Sequence, residues 1–553
     1  MTQKLSSFSL PKFSSLEFLL LSAIFLGIFL RILNLGTREF WYDEVLSLLL
    51  STGQKIAYVT PQDIPVVLAH YTPLLNLPTE SNLSDLLKTL VSLLRGIVGG
   101  EPHPPLFFIT QHFWLRLLGN SEIATRSLNV IISLAAMVCS YGLGRFYLGH
   151  RGGLLLTALV ATNPFYLFHS LNLRMYASLL LWTSLSAWSL LKIIDQTDKN
   201  PTLPQKILWN LLLIISVTAG CLTFYLFAYW VVTLAVVVLY LDRRKWWQHA
   251  IRLGTGVLIT IPWVLWGTRQ QLRNADLGRF NSPTGFLATL LQHLKDVVNT
   301  LGNQLLIGDW STSLSDNIIT VTGCIVLVGL IFVTIYARKI EDKKALITTL
   351  IFAFFPLLLA LLIDMKSGKF TVGFGAGRSL IFILPGCLLL ITIWIEKSAG
   401  RWRNLAATAL LGLYLTISIA DFSIRNRQMF HQLSDIISTQ PTTPTLIVMN
   451  SKAWGHVNRL AYYISPEYPV FLLAQESNKL APALQKSLTP KPSTYGRIIL
   501  LESAEPVWSE PTTEAEREAI QNILKPEYQL QKNQLLQGTM DLDEFTVNVY
   551  QRS

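Results

Sequence analysis

Two adjacent carboxylates stand beside three aromatic rings in the stretch Phe40-Trp41-Tyr42-Asp43-Glu44, directly after the first long apolar segment of the chain. A positioned carboxylate can take the proton from an attacking hydroxyl, and Trp41 and Tyr42 offer flat apolar faces on which a sugar could stack. The plainer reading is an interfacial aromatic belt with solvated acids, since Trp and Tyr collect at membrane–water boundaries. Other polar and ionisable groups recur at similar places between apolar segments: Glu101 and His103 in Glu-Pro-His-Pro-Pro, then His169, Asn172 and Arg174, then Lys366, Lys369 and Arg378. Arginine suits a phosphate through its planar donor fork. Arg174 and Arg378 could equally snorkel to lipid headgroups. His103 could simply orient its Pro-rich turn, and Tyr176 reads as packing.

Composition says what must position these groups. Of 553 residues, 51% are hydrophobic and 14% charged, against about 25% charged in an ordinary soluble domain. The chain is therefore expected to be an integral membrane protein. Its net charge of +11 does not point to nucleic acid, because the basic residues fall in short clusters between apolar segments, the pattern that orients membrane proteins. Cys139, Cys221, Cys324 and Cys387 each lie inside an apolar segment, so no disulfide framework or cysteine metal site follows. After Lys4 and Lys12, the apolar run from about residue 15 to 35 is too long for a cleaved signal core and reads as a retained first span.

A span needs about 20 mainly apolar residues. Eleven segments qualify or nearly do: 15–35, 124–146, 152–169, 175–194, 207–223, 225–241, 252–268, 317–337, 345–363, 377–395 and 403–421. Residues 104–118 are short and carry His112 and Arg116. If they do not cross, and the N-terminus is cytoplasmic, the clusters Arg145/Arg151, Lys192/Lys199/Lys206, Arg243/Arg244/Lys245/Arg252, Arg338/Lys339/Lys343/Lys344 and Lys397/Arg401/Arg403 all fall inside. Residues 104–118 are accordingly expected to form an interfacial helix. Loops 36–123, 269–316 and 364–376, the turn at 169–174 and the tail after 421 then lie outside together. Residues 84–98 read as an amphipathic helix in the first loop. So does a second stretch with Phe286, Leu290, Leu291, Leu294, Val297, Val298 and Leu301 on one face and His293, Lys295 and Asp296 more polar.

From about residue 430 the chain becomes more polar. Strands are expected at Thr445–Asn450, Pro469–Ala474, Arg497–Glu502 and Phe545–Tyr550, and helices at His456–Ile464, Pro482–Leu488 and Thr513–Leu524. The expectation is a polytopic α-helical membrane domain (1–425) with outer-loop interfacial helices, followed by a small α/β domain (430–553). The tail has no Gly-x-Gly-x-x-Gly after its first strand, so no dinucleotide site is expected.

An ordered set of motifs carries a resemblance: Trp-Tyr-Asp-Glu after the first span, His-Pro-Pro-Leu-Phe-Phe, Phe-Trp-Leu-Arg-Leu-Leu-Gly-Asn-Ser-Glu-Ile-Ala-Thr-Arg-Ser-Leu, Gly-Arg-Phe-Tyr-Leu-Gly-His-Arg-Gly-Gly, and Asn-Pro-Phe-Tyr-Leu-Phe-His-Ser-Leu-Asn-Leu-Arg-Met-Tyr-Ala. In this order they resemble bacterial relatives of the dolichyl-phosphate-mannose–protein mannosyltransferases, glycosyltransferase family 39-like members of the GT-C superfamily, and also the lipid A aminoarabinose transferases. The match is strong over about 36–180 and looser to 421. The resemblance implies transfer of a sugar from a polyprenyl-phosphate donor to a lipid, glycan or protein acceptor, on the extracytoplasmic face of a bacterial plasma membrane. It implies Asp43 as the catalytic carboxylate and general base, with Glu44 and His103 orienting it or the acceptor. Arg174 and Arg378, backed by Lys366 and Lys369, would meet the phosphate. Trp41, Tyr42, Glu101, His169 and Asn172 would line the sugar or acceptor. A divalent metal is compatible with the resemblance and no other cofactor is implied. Relatives often carry an acid at the position of Asn172, two residues before Arg174, and its absence argues against a second catalytic carboxylate or a carboxylate-bound metal here. A transporter or flippase of lipid-linked sugars would favour midplane charges and internal repeats, whereas the spans here carry few such charges and no repeat is seen. A non-catalytic scaffold for the tail would leave the acidic stretch unexplained.

Overall fold

The structure, a computed structural model, describes residues 15–196, 202–274, 285–338, 341–425, 427–489, 494–507, 509–538 and 543–553. Lys4 and Lys12, which precede the first apolar run, and Lys199 and Lys339 of the basic clusters lie outside them. After α1 (Ser15–Leu33) the first loop carries α2 (Tyr42–Ser51), strand β1 (Val66–Val67), α3 (Leu83–Val98) and α4 (Leu106–Leu118). The bundle continues with α5 (Glu122–Thr162), α6 (Pro164–His169), α7 (Tyr176–Gln196), α8 (Leu203–Thr223) and α9 (Phe227–Leu241). A bent pair follows, α10 (Trp246–Leu258) and α11 (Ile261–Trp263), leading into α12 (Arg269–Asn274). Then come α13 (Phe286–Gly302), α14 (Asp316–Ala337), α15 (Lys343–Ser367), α16 (Leu384–Lys397) and α17 (Arg403–Ile424).

Among the described residues, eight helices are long and apolar enough to cross a membrane. The eleven expected segments all fall on helix. The 41-residue α5 carries two of them, because Gly149 (φ 72°) breaks it where the chain reverses. The bent pair, with an angle of 43°, accounts for 252–268, and the shorter α9 for 225–241. At 13 residues, α4 reaches about 20 Å, short of the ~30 Å hydrocarbon core. It lies against α2, α5 and α8 with Phe107, Phe108, His112 and Leu115 buried.

The tail holds α18 (Met429–Ser438), β2 (Thr445–Met449), α19 (Trp454–Tyr463), β3 (Val470–Ala474), α20 (Ser477–Ser487), β4 (Arg497–Ser503), α21 (Glu514–Leu524), β5 (Tyr528–Gln537) and β6 (Glu544–Arg552). Its sheet runs β1-β3-β2-β4-β6-β5, with β3, β2 and β4 parallel and the flanking pairs antiparallel. The four expected strands are present. β5, a polar edge strand, and α18 were not anticipated, and α20 begins five residues before the expected 482. The edge strand β1 comes from the first loop of the membrane domain. One buried apolar cluster includes Leu46 and Leu49 of α2 together with Val457 and Leu460 of α19. The change of composition near 425–430 thus marks a change of secondary structure, while the core continues across it. The connection is also pinned electrostatically: Arg425 and Arg427 both pair with Asp309 and Asp421.

Candidate active site

The first turn of α2 presents the acidic pair, and its two members have opposite fates. Glu44 is sealed at 0% exposure against an equally buried Arg126. Arg126 Nε and Nη2 donate to the two carboxylate oxygens at 2.9 and 2.8 Å. The remaining acceptor capacity of Glu44 takes the Leu173 amide at 2.7 Å and the Trp41 amide at 3.2 Å. Arg126 also donates to the carbonyls of Leu35, Arg38 and Glu39, so the pair folds the 35–44 turn. Burial opposes ionisation of Glu44, but Arg126 outweighs it and holds the carboxyl below its usual range. Expected among the catalytic residues, Glu44 instead has both oxygens consumed and no path to a substrate.

Asp43, one residue earlier, remains 21% exposed at its side chain and meets Arg378 at 3.2 Å. Arg378 is delivered by a tightly held turn. Gly375, Ala376 and Gly377 all have positive φ (60°, 56° and 84°). Asp364 accepts from the Thr371 amide and hydroxyl and the Val372 amide, while Asn303 and Gln304 of the segment after α13 donate to the Ala376 and Gly377 carbonyls. The Arg378 guanidinium stacks 4.9 Å from the Trp41 ring centre and lies within 6 Å of Tyr176 and Phe374.

A second ionic group adjoins the first. Arg174 Nη1 donates to Ser47 Oγ at 3.0 Å on the next turn of α2, and Nη2 lies 3.6 Å from Glu101. Glu101 contacts His103 Nδ1, and Gln271 of α12 fixes both by donating to their backbone carbonyls at 2.6 and 2.8 Å. Burial works against the Glu101 charge, yet Arg174 and then His103 prevail and hold its pKa low. Burial also pushes His103 below its ordinary value, against the pull of Glu101. The neutral ring then donates Nδ1–H to Glu101 and leaves Nε2 as an acceptor. Arg174 is held above its usual value, because Glu101 and Asp43 overcome its desolvation. Arg174 and Arg378 each keep a buried Nε–H without an acceptor among the described residues.

The structure thus brings together Asp43, Trp41, Glu101, His103, Arg174 and Arg378. Tyr176, read from sequence as packing, joins them by contacting both arginines, and Ser47 was missed. Four expectations change. Tyr42, 7% exposed, turns away from Asp43 into the tail against Gly455 and His456, leaving no face for a sugar. Trp41, 2% exposed, lies beneath Arg378. Asn172 is fully buried, accepting from Arg38 and, through its carbonyl, from Asn129. His169 is enclosed by Phe165, Phe168 and Tyr176. Lys366 is exposed at the end of α15 without an ion pair among the described residues, and Lys369 is half-buried in the turn that follows. Among the described residues no three His, Cys, Asp or Glu side chains converge as metal ligands. Asp43 and Glu101 are each already paired with arginine, so the donor set does not fit a divalent cation.

Residues 102–266 match a family described as dolichyl-phosphate-mannose-protein mannosyltransferase, a stretch that includes His103 and Arg174 but neither Asp43 nor Arg378. Comparison with curated protein sequences returned no significant match. Among solved structures, the chain aligns with the oligosaccharyltransferase of Archaeoglobus fulgidus in complex with Zn and sulfate, at 13% identity and a TM-score of 0.48, over 95% of this chain and 72% of that one. It also aligns with ArnT from Cupriavidus metallidurans in the apo state, at 12% identity and a TM-score of 0.42, over 97% and 98%. ArnT bound to undecaprenyl phosphate aligns over the same shares, at 12% identity and a TM-score of 0.40.

Proposed function

We propose that this protein is a membrane glycosyltransferase that moves a sugar from a polyprenyl-phosphate carrier to an acceptor hydroxyl. The observation that carries the reading is the contrast within the acidic pair. Asp43 alone is open to a substrate, and it sits where two arginines with unspent donors converge. The family match over 102–266 supports it. In the reaction the acceptor oxygen attacks the anomeric carbon while its proton passes to the Asp43 carboxylate. The bond from that carbon to the phosphate oxygen breaks, and the lipid phosphate leaves with its charge met by Arg378 and Arg174. His103 Nε2, with Nδ1–H held by Glu101, is placed to orient the acceptor. Because the basic clusters sit at the other end of the helices, as with Arg151 paired to Glu396 near the far end of α16, the reading puts the site on the extracytoplasmic side.

The donor side is tested by replacing the arginines separately. Arg378→Gln and Arg174→Gln should each weaken inhibition by free undecaprenyl phosphate and lower transfer by roughly 100-fold or more, the cost of removing a charge stabiliser. Unchanged inhibition in both variants would remove the phosphate from this site. A flippase would instead translocate the lipid-linked sugar with no covalent transfer in either background.

A further inference from the structure

The residues around Asp43 divide between two sides. The Glu39 carboxylate accepts from the Phe430 amide at 2.9 Å and from His431 Nδ1 at 2.8 Å. The Phe40 amide donates to Tyr463 Oη at 2.6 Å, and its ring meets Tyr462 edge-on at 4.9 Å. The Tyr42 ring packs edge-on against His456 at 5.1 Å, and His456 in turn meets Phe545 of β6 at 5.2 Å. Residues 39, 40 and 42 therefore belong to the tail by contact, whereas Trp41 and Asp43 face Arg378. Gly455 makes this possible. A Cβ there would lie 2.5 Å from a Tyr42 ring carbon, and three ring carbons fall within 2.7 Å. Tyr42 is 7% exposed and opens the first turn of α2 next to Asp43, so a displaced ring has little free space and presses on that turn.

We propose that Gly455 is a positioning residue for the transfer reaction. By admitting the Tyr42 ring it lets α19 hold the first turn of α2 in the register that sets Asp43 against Arg378, and this is a function of the tail domain. The inference rests on the role given to Asp43 above.

Three full-length variants test it, purified in the same detergent. Gly455→Ala overfills the contact. Tyr42→Ala empties it, which serves if overfilling prevents folding. Leu484→Ala removes a buried side chain on the opposite side of the tail sheet, away from Tyr42. Two readouts are taken: amide hydrogen exchange over 39–51, and kcat and donor KM with radiolabelled undecaprenyl-phosphate sugars. Gly455→Ala and Tyr42→Ala should speed exchange over 39–51. They should lower kcat roughly 10- to 100-fold, the penalty of displacing a catalytic group by about 1 Å, with donor KM within about twofold. Leu484→Ala should leave both readouts near wild type. Unaltered exchange in the first two variants, or an equal loss of kcat in Leu484→Ala, overturns the proposal. If wild-type protein transfers no sugar from any donor, the proposed function fails instead, and the exchange readout still decides whether α19 holds α2.

Discussion

Glu44→Gln separates folding from chemistry at the acidic pair. The substitution keeps the side chain's shape and an acceptor for the Leu173 amide but removes the charge facing Arg126. Both partners are at 0% exposure, so the arginine would be left buried without its counter-charge. Breaking a buried pair by removing one partner costs about 3–5 kcal/mol. Three backbone carbonyls still receive Arg126, which places the expected loss near the lower end, about 3 kcal/mol. The assay is the denaturant midpoint of detergent-purified protein, read beside sugar transfer per folded molecule at low temperature. The expected result is a large drop in midpoint with transfer per folded molecule within about tenfold of wild type. A variant with the wild-type midpoint and no transfer would refute the reasoning, because Glu44 would then be acting on the substrate.

Four further outcomes follow from the same geometry. Asp43→Asn removes the anion that competes with a phosphate for Arg378, so binding of free undecaprenyl phosphate, measured by calorimetry, should tighten by up to about fivefold, a partly exposed ion pair being worth about 1 kcal/mol or less; weaker binding would contradict this. His456 is buried with neither ring nitrogen partnered among the described residues, and desolvation depresses its pKa to about 3, well under the unfolded value of 6.5. Its neutral form therefore stabilises the fold above about pH 6.5, and that contribution is lost as pH falls toward 3, by up to about 1.4 kcal/mol per unit. His456→Phe should flatten the acid limb of a stability–pH curve, and an unaltered limb would show that His456 is not the titrating group. Ala376 holds a left-handed conformation (φ 56°) beside Arg378, so Ala376→Gly should leave the denaturant midpoint unchanged or raise it by about 1 kcal/mol in stability. Gly377→Ala, whose Cβ would lie 2.8 Å from Thr300, should lower transfer by moving Arg378.

The sequence made the spans legible because burial in lipid demands long apolar runs, and it made four tail strands legible because their apolar residues are contiguous. It also pointed to Asp43, Arg174 and Arg378 together, since grouping the loops by the basic clusters between spans puts all three in one set. It did not show that Tyr42 begins a helix. A signal was available, in that Asp43 and Glu44 occupy a first turn and Glu44 reaches back to the Trp41 amide, but the polar neighbourhood read as loop. The partition between Asp43 and Glu44 was not legible at all, since it depends on Arg126, 82 residues further on. The same holds for Tyr42, Trp41 and Asn172, whose aromatic and amide chemistry suits a sugar in isolation and is spent on Gly455, Arg378 and Arg38 in the fold. β1 is two residues long and exists only because β3 offers it an edge, so no local pattern announces it.

The central claim is that Asp43 removes the acceptor's proton in a transfer from a lipid-phosphate sugar. The most direct test presents a panel of radiolabelled polyprenyl-phosphate sugars, with acceptor-containing membrane extract, to purified wild type and Asp43→Asn. The account predicts label transferred by wild type alone, with the variant still folded and still binding undecaprenyl phosphate. Equal transfer by both proteins would contradict it.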